Sequence, residues 1–591
     1  MITVCVLLFA SAGCFVLAAS SPYYLRKFEE LSLFMSGSSF FSSCMEQPGG
    51  LIVWCSTFLT QFFFHPWIGT AVMVLALIGL WFLFWRASRL PARFFVMACV
   101  PSAMMLLAMF APGYLIYILK SPGYAYNGIL GIAVALALAG LYRLCSRHTA
   151  LATAVMALIP FLYPLFGFYA LYAVLLCMVL ELSGRRSPWP LLAGAVAVAA
   201  VPWLYFYFVE SHLMLANAYT ALLPRFGAGG SDLWMPYIVA LAYVPVLLAV
   251  APWLSSLRMK PEYAYILGLC ALLPSLYAVY SLRYTDSNFA ATLKMDMDIS
   301  DGDYRGALDA AHKNHLHPTR AMGLFTHIAL SHIGQAGDSL FTFRFADTEY
   351  ATPRPDVALR TVGSHPFNFH FGRVNDCYRW CMEDMVEYGP KVEYLKYMSR
   401  CAILNGEYPL ARRYLRMLSR TLYHKDWARK YMAMTYDPAL AEKDPELAYV
   451  RKLNAFNNHI GGDGSLIETY ISTNLAALEG GPPELVEMSL QFNLVRKDIN
   501  GFWPRFILYA RTHERLPVHY QEAALLFSAL EHKVDCSQFR IDPEVAREFN
   551  LFMEMAQKNA HLSEEHNRHV FGPFGKTYWY YYFFTKGLKT T

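Results

Sequence analysis

The chain has 591 residues, 56% of them hydrophobic and 16% charged, with 49 Lys and Arg against 44 Asp and Glu. Soluble proteins run at roughly 45–50% apolar and about 25% charged, so the excess needs lipid or an unusually large core to cover it. A net charge of +5 over this length excludes a binder held to nucleic acid by electrostatics, and the placement of the basic residues says more than their sum.

That apolar excess lies on one side of Arg283. Up to that point, long apolar runs follow one another; beyond it nearly every ten-residue block carries Lys, Arg, Asp or Glu. A hydrocarbon layer about 30 Å thick takes roughly 20 helical residues. The predicted spans are 2–20, 67–86, 94–119, 127–144, 149–164, 166–183, 188–208, 235–257 and 262–282. The fold expected is therefore all-α, with a polytopic membrane domain of about nine spans over 1–283 and a soluble helical domain over 284–591.

The first span ends in Leu17-Ala18-Ala19-Ser20, small enough for a signal peptidase, but no Lys or Arg precedes its apolar core, so it is read as retained. After it, 21–66 reads as one long external loop. It holds an amphipathic helix near Leu25–Met35, a Ser/Gly turn at 36–39, the breaker Pro48-Gly49-Gly50 and an apolar helix over Leu51–Phe64. That last helix is too short to span. Ser56, Thr60 and Gln61 fall on one stripe and Trp54, Phe58 and Phe62 on another, which predicts a helix lying in the membrane interface.

Basic residues set the orientation, because short cytoplasmic loops retain them. Arg86, Arg89 and Arg93 share one loop, Arg143 and Arg147 a second, Arg185 and Arg186 a third, and Arg258 and Lys260 a fourth. These are alternate loops, so the N-terminus is expected in the cytoplasm and 284–591 on the far side. Charges inside the spans are nearly missing, which argues against an ion or proton path.

The charged half reads as helical hairpins. Gly302-Asp303-Tyr304-Arg305-Gly306-Ala307 and Asn405-Gly406-Glu407-Tyr408-Pro409-Leu410-Ala411 share a turn glycine, an aromatic two residues on and an alanine three further. The pattern is similar to the turn of a tetratricopeptide repeat and predicts an irregular α-solenoid. Asp296, Asp298, Asp301 and Asp303 do not make an EF-hand, since Ala307 stands where the bidentate Glu belongs. His312, His315 and His317, and His365 with His370, lack a matching carboxylate or Cys at metal spacing. The aromatic run Tyr578–Phe584 is expected to pack the last helix or touch the bilayer rather than stack on sugars. The 12 cysteines read as small apolar residues, with Cys44 and Cys55 the one pair placed for a bridge.

No P-loop, G-x-S-x-G, dinucleotide fingerprint or H-E-x-x-H is present. What remains is a set of external charges. Glu29, Glu30 and Glu46 are the candidate catalytic acids; Arg26, Lys27, Lys120, Glu210, His212, Arg225 and Asp232 are the candidates for binding a lipid phosphate or substrate. A carboxylate facing cations is the minimum for moving a group off a lipid phosphate: the acid takes the acceptor's proton and the cations offset the leaving charge.

This order of a first span, a long external loop with two helices, further spans and a helical tail resembles the GT-C class of polyprenyl-phosphate-sugar glycosyltransferases. The tail makes it similar to protein O-mannosyltransferases with tetratricopeptide repeats. In that class a carboxylate soon after the first span is catalytic, and Glu29-Glu30 is the nearest match, deeper in the loop and without an Asp. The resemblance implies a polyprenyl-phosphate sugar as donor and, for some members, a divalent metal; no cofactor is otherwise indicated. Pro48-Gly49-Gly50-Leu51, Phe58-Leu59-Thr60-Gln61-Phe62 and Pro66-Trp67-Ile68-Gly69 also resemble an uncharacterised bacterial inner-membrane family across most of the chain.

Two functions are therefore expected. One is a glycosyltransferase at the outer face of the bacterial inner membrane, with membrane lipid as a partner and the periplasmic solenoid holding a protein or glycan acceptor. The other is a non-enzymatic scaffold for envelope assembly or export, whose helical repeats bind protein.

Overall fold

The computed structural model describes every residue except 20–21, 147, 185–186, 210–213, 227–230, 314–317, 346–363, 458–466, 474–480, 560, 562 and 586–591. The described residues are helical throughout and include no strand. They form two compact units. The first is Met1–Thr285 with Tyr388–Glu393 and Met417–Asp426; the second is Asp286–Glu387, Tyr394–Arg416 and Trp427–Thr591.

The first unit begins with α1 (Ile2–Cys14), α2 (Pro22–Glu30), α3 (Ser38–Met45) and α4 (Gly50–Thr60), the last running on as a 3₁₀ turn over Gln61–Phe64. Then come α5 (Pro66–Ser88), a 3₁₀ stretch Ala92–Cys99 that leads into α6 (Val100–Phe110), α7 (Tyr124–Cys145), α8 (Thr149–Leu158) and α9 (Tyr163–Phe166). The set ends with α10 (Phe168–Gly184), α11 (Pro188–Phe208), α12 (Leu215–Tyr219), α13 (Met235–Ser256) and α14 (Pro261–Leu282). Pro66, Pro188 and Pro261 open their helices, where a missing N–H leaves nothing unsatisfied.

Among the described residues, seven helical stretches are long and apolar enough to cross a membrane: Pro66–Ser88, Ala92–Phe110, Tyr124–Cys145, Thr149–Phe166, Pro188–Phe208, Asp232–Ser256 and Pro261–Leu282. Nine were expected. Of the other two, 2–20 is α1 with 13 residues followed by a π-helical turn, and 166–183 is α10 with 17. The expected span 94–119 also stops early. Its helix ends at Phe110, Pro112 and Gly113 interrupt it, and Ile116–Lys120 is a separate 3₁₀ turn. That break delivers Lys120 on a turn instead of a helix end.

α4 is amphipathic, as expected, but with its polar stripe inward. Ser56, Thr60 and Gln61 are buried, while Phe58 is 38% exposed, stacks on Trp54 and meets Phe62 edge-on. Thr60 donates to the Ser56 carbonyl at 2.7 Å and Gln61 to the Phe58 carbonyl at 2.9 Å, which satisfies those two side chains within the helix, while the Ser56 hydroxyl makes no hydrogen bond. The Pro48-Gly49-Gly50 breaker admits a close approach: a Cβ on Gly50 would stand 2.2 Å from the Cys44 carbonyl oxygen.

The second unit contains both predicted hairpin turns. Ser287–Ser300 and Tyr304–Lys313 flank Gly302, and Val392–Leu404 and Tyr408–Ser419 flank Gly406; the two glycines have φ of +78° and +76°. Ala307 and Ala411 are fully buried, as close helix packing requires. The Asp run is part of the first of these turns, with Asp303 accepting the Gly306 N–H at 2.9 Å. Near the C-terminus, Tyr578, Trp579 and Tyr581 are buried in the core of this unit. Glu522 secures them, accepting the Tyr578 N–H at 2.7 Å through its carboxylate and the Trp579 indole N–H at 2.8 Å through its carbonyl. The aromatic run packs the last helix; those three rings present no face to a sugar.

Candidate functional site

Helix α2 reads as amphipathic in sequence yet is largely buried: Tyr24, Leu25, Lys27, Phe28, Glu29 and Glu30 are covered, and Pro22, Tyr23 and Arg26 are half-exposed. Phe28 stacks on Tyr124 at 6.2 Å and meets Phe63 at 6.0 Å, which fixes the rotation of the helix inside the first unit. Burying an ion is costly unless a partner goes with it. The Lys27 ammonium lies 2.9 Å from the Glu393 carboxylate, with the two side chains 1% and 7% exposed. His424 Nε2 lies 2.8 Å from Glu29 Oε1, with side chains 3% and 6% exposed. Both partners come from the short segments of the charged half that belong to this unit.

Rings close over the second pair. Phe64 stacks on Tyr423 at 4.9 Å and meets the His424 imidazole edge-on at 5.3 Å; the Arg26 guanidinium sits 5.8 Å above the same Phe64 ring. Tyr423 feels the carboxylate: burial and the Glu29 charge raise its phenol above the usual range. The backbone ties both segments down. Val392 N–H donates to the Ser32 carbonyl at 3.1 Å, and the Ser36 hydroxyl to the Arg420 carbonyl at 3.2 Å.

A few residues away from Glu393 the charge balance changes. Lys391 is 2% exposed and Lys120 is 4% exposed, with the Lys120 ammonium 5.2 Å from the centre of the Tyr388 ring. Burial, and then the neighbouring Lys120 charge, bring the Lys391 ammonium down to about 7. Lys391 has no carboxylate within ion-pairing distance among the described residues.

The predicted residues thus separate. Arg26, Lys27, Glu29, Glu30 and Lys120 lie in or beside this buried cluster. Glu46 caps the end of α3, exposed and outside the cluster's pairs; Arg225 and Asp232 are exposed as well. Glu210 and His212 lie outside the described residues, as do His315 and His317. Sequence reasoning missed Tyr388, Lys391, Glu393 and His424. Their partners are hundreds of positions away, and no local spacing marks them. Among the described residues no group of three or more His, Cys, Asp or Glu is placed to hold a metal ion, and all 12 cysteines, Cys44 and Cys55 included, are free.

A second buried network lies in the other unit. Arg400 donates to Glu446 at 2.7 Å, Tyr431 donates to the same carboxylate at 3.4 Å, and His370 lies 3.7 Å from it. His370 Nδ1 is 3.0 Å from His332 Nε2, and the His332 ring is stacked on Tyr304 at 4.4 Å. Burial holds both imidazoles down to about 3, helped at His332 by His370 and at His370 by Arg400. They are neutral at ordinary pH and make up a packed polar core.

Residues 1–585 match the model of a family of unknown function, DUF6057, and the chain belongs to that family. No curated protein and no solved structure is matched.

Proposed function

We propose that the protein is an integral-membrane glycosyltransferase that moves a sugar from a polyprenyl-phosphate carrier to an acceptor hydroxyl. The observation that carries this reading is the buried pairing of Glu29, on the same helix as Lys27, with His424, with Lys120 and Lys391 in the same unit. A carboxylate held by an imidazole is equipped to take a proton, and buried ammonium groups are equipped to offset a leaving phosphate. The acceptor oxygen attacks the anomeric carbon, and the bond from that carbon to the phosphate oxygen breaks. The leaving phosphate keeps the electron pair, and the hydroxyl proton passes to Glu29. Glu30, the adjacent acid, is the alternative base. The seven membrane-length helices suit a lipid-linked donor, and the site is proposed to face the periplasm with a solenoid of hairpins presenting the acceptor.

The test is turnover of a labelled polyprenyl-phosphate sugar by the full chain in lipid nanodiscs. Glu29→Gln is expected to reduce the rate by at least a hundredfold, the usual scale for a general base. Undiminished turnover in both Glu29→Gln and Glu30→Gln sinks the assignment.

A membrane scaffold for envelope assembly or export is the second reading. It is favoured by the engagement of Lys27 and Glu29 in internal pairs, an arrangement that also serves stability alone. On that reading Glu29→Gln lowers the unfolding temperature and no sugar is transferred by any form of the protein.

A further inference from the structure

Helix α5 has 23 residues, a length of about 35 Å at 1.5 Å per residue. A hydrocarbon layer of about 30 Å uses nearly all of it, so the first turn of a spanning α5 lies at the boundary between acyl chains and headgroups. That turn is apolar and exposed, with Trp67 68% and Ile68 48% accessible. Tyr423, from the charged half of the sequence, packs on the residues just before it. Its ring stacks on Phe64 at 4.9 Å with the planes 4° apart, and meets His65 edge-on at 5.2 Å and Phe62 at 6.5 Å. His65 is the N-cap of α5. The segment carrying Tyr423, Met417–Asp426, belongs to the same compact unit as α5. The Ser36 N–H and hydroxyl both donate to its Arg420 carbonyl, at 3.1 and 3.2 Å, and hold its backbone there.

The outward side chains of this segment are of the kind that a membrane boundary selects. Leu422 is 45% exposed beside the half-buried Tyr423, and Arg420, Lys425 and Asp426 are exposed around them. The ring row of α4 leads up to the same place, since Phe58 meets Phe62 and Phe62 meets Tyr423. Single apolar residues scattered on a surface need no explanation. Here they are continuous with the first turn of a membrane-length helix, and aromatic and basic side chains are enriched at that depth.

We infer that Met417–Asp426 is a membrane-interface anchor. Leu422 and Tyr423 enter the headgroup region beside the first turn of α5, and Arg420 and Lys425 reach up to the lipid phosphates. The partner is the bilayer surface, because this patch continues the exposed apolar face of α5. The anchor also sets the level of His424, and with it Glu29, at the membrane boundary. It stands apart from the transferase reading: the segment meets lipid whether or not sugar is transferred.

The experiment places the photoreactive residue p-benzoylphenylalanine at Leu422, Ile68 or Tyr436, one site per full-length chain, in nanodiscs of phosphatidylcholine and phosphatidylglycerol. Adducts formed on illumination are identified by mass spectrometry. Ile68 stands on the first turn of α5, and Tyr436, 71% exposed in the second unit, is the comparison outside the anchor. All three side chains are exposed, so the unfolding temperatures are expected to match wild type. Lipid adducts at Leu422 are expected within about twofold of those at Ile68 and at least tenfold above those at Tyr436. Arg420→Glu combined with Lys425→Glu is expected to lower the Leu422 adducts at least threefold; undiminished adducts overturn the role of the two basic residues. Absence of lipid adducts at Leu422, or adducts there no more frequent than at Tyr436, overturns the anchor. A crosslink from Leu422 to a second copy of the chain or to another protein, in place of lipid, overturns it as well.

Discussion

The two units solve the same problem, burying polar side chains in a helical core, in opposite ways. In the second unit Arg400 and Glu446 cancel each other, the imidazoles beside them stay neutral, and Tyr304 and Tyr431 fill the remaining positions. In the first unit Lys27 lies against Glu393 and Glu29 against His424, while Lys391, on the same segment as Glu393, is buried with its ammonium brought down to about 7, chiefly by burial. Buried ion pairs are weak evidence for stability in their own right, so the way each unit holds its buried ions is tested by removing one group at a time.

Breaking the balanced network has the largest expected effect. Arg400→Met leaves the Glu446 carboxylate buried without its guanidinium and is expected to cost about 3–5 kcal/mol in unfolding free energy. Denaturant titration of the purified chain measures it. A loss within the scatter of neutral surface variants means that water reaches Glu446, and the comparison fails on that side.

Acid gives a smaller, graded effect on the same unit. His327 is held down to about 4, and His332 and His370 to about 3, chiefly by burial. Unfolded imidazoles take up protons near their ordinary 6.5, so the unfolded state binds more protons between that value and about 4. Stability therefore falls as the pH drops through that window. Thermal melts across it are expected to show the loss, with His332→Gln flattening it; a flat profile in wild type contradicts the burial of these rings.

The smallest effect has the opposite sign and sharpens the contrast. Lys391→Met removes a charge that no neighbour needs and is expected to stabilise the protein by about 1 kcal/mol. The wild-type lysine, brought down to about 7, loses its proton there when folded and near 10.5 when unfolded. Wild-type stability is thus expected to rise between those two pH values, a slope that Lys391→Met lacks. Destabilisation by this variant means that Lys391 has an internal role.

Much of the local architecture was legible. Long apolar runs forced helices because lipid and core alike demand that backbone groups bond within the segment. The turns at Gly302 and Gly406 were readable because their left-handed φ favours glycine. The span count was less so. Hydropathy registers composition over a window, while helix length depends on where Pro112-Gly113 and the π-helical turn after α1 interrupt the backbone. Of the candidate site, the acids and Lys120 were visible as charges near apolar runs, whereas Glu393, Lys391 and His424 resembled any other charge in a polar half.

The sequence by itself determined that the protein is helical, that its apolar half holds membrane-length helices, and which residues of the loop after the first helix carry charge. Each of these follows from local hydropathy and periodicity. Only the tertiary structure decided that α2 is buried, which distant residues pair with Lys27 and Glu29, and that Lys391 is buried beside them. Pairing across hundreds of residues depends on how the chain packs, and hydropathy along the sequence carries no record of it.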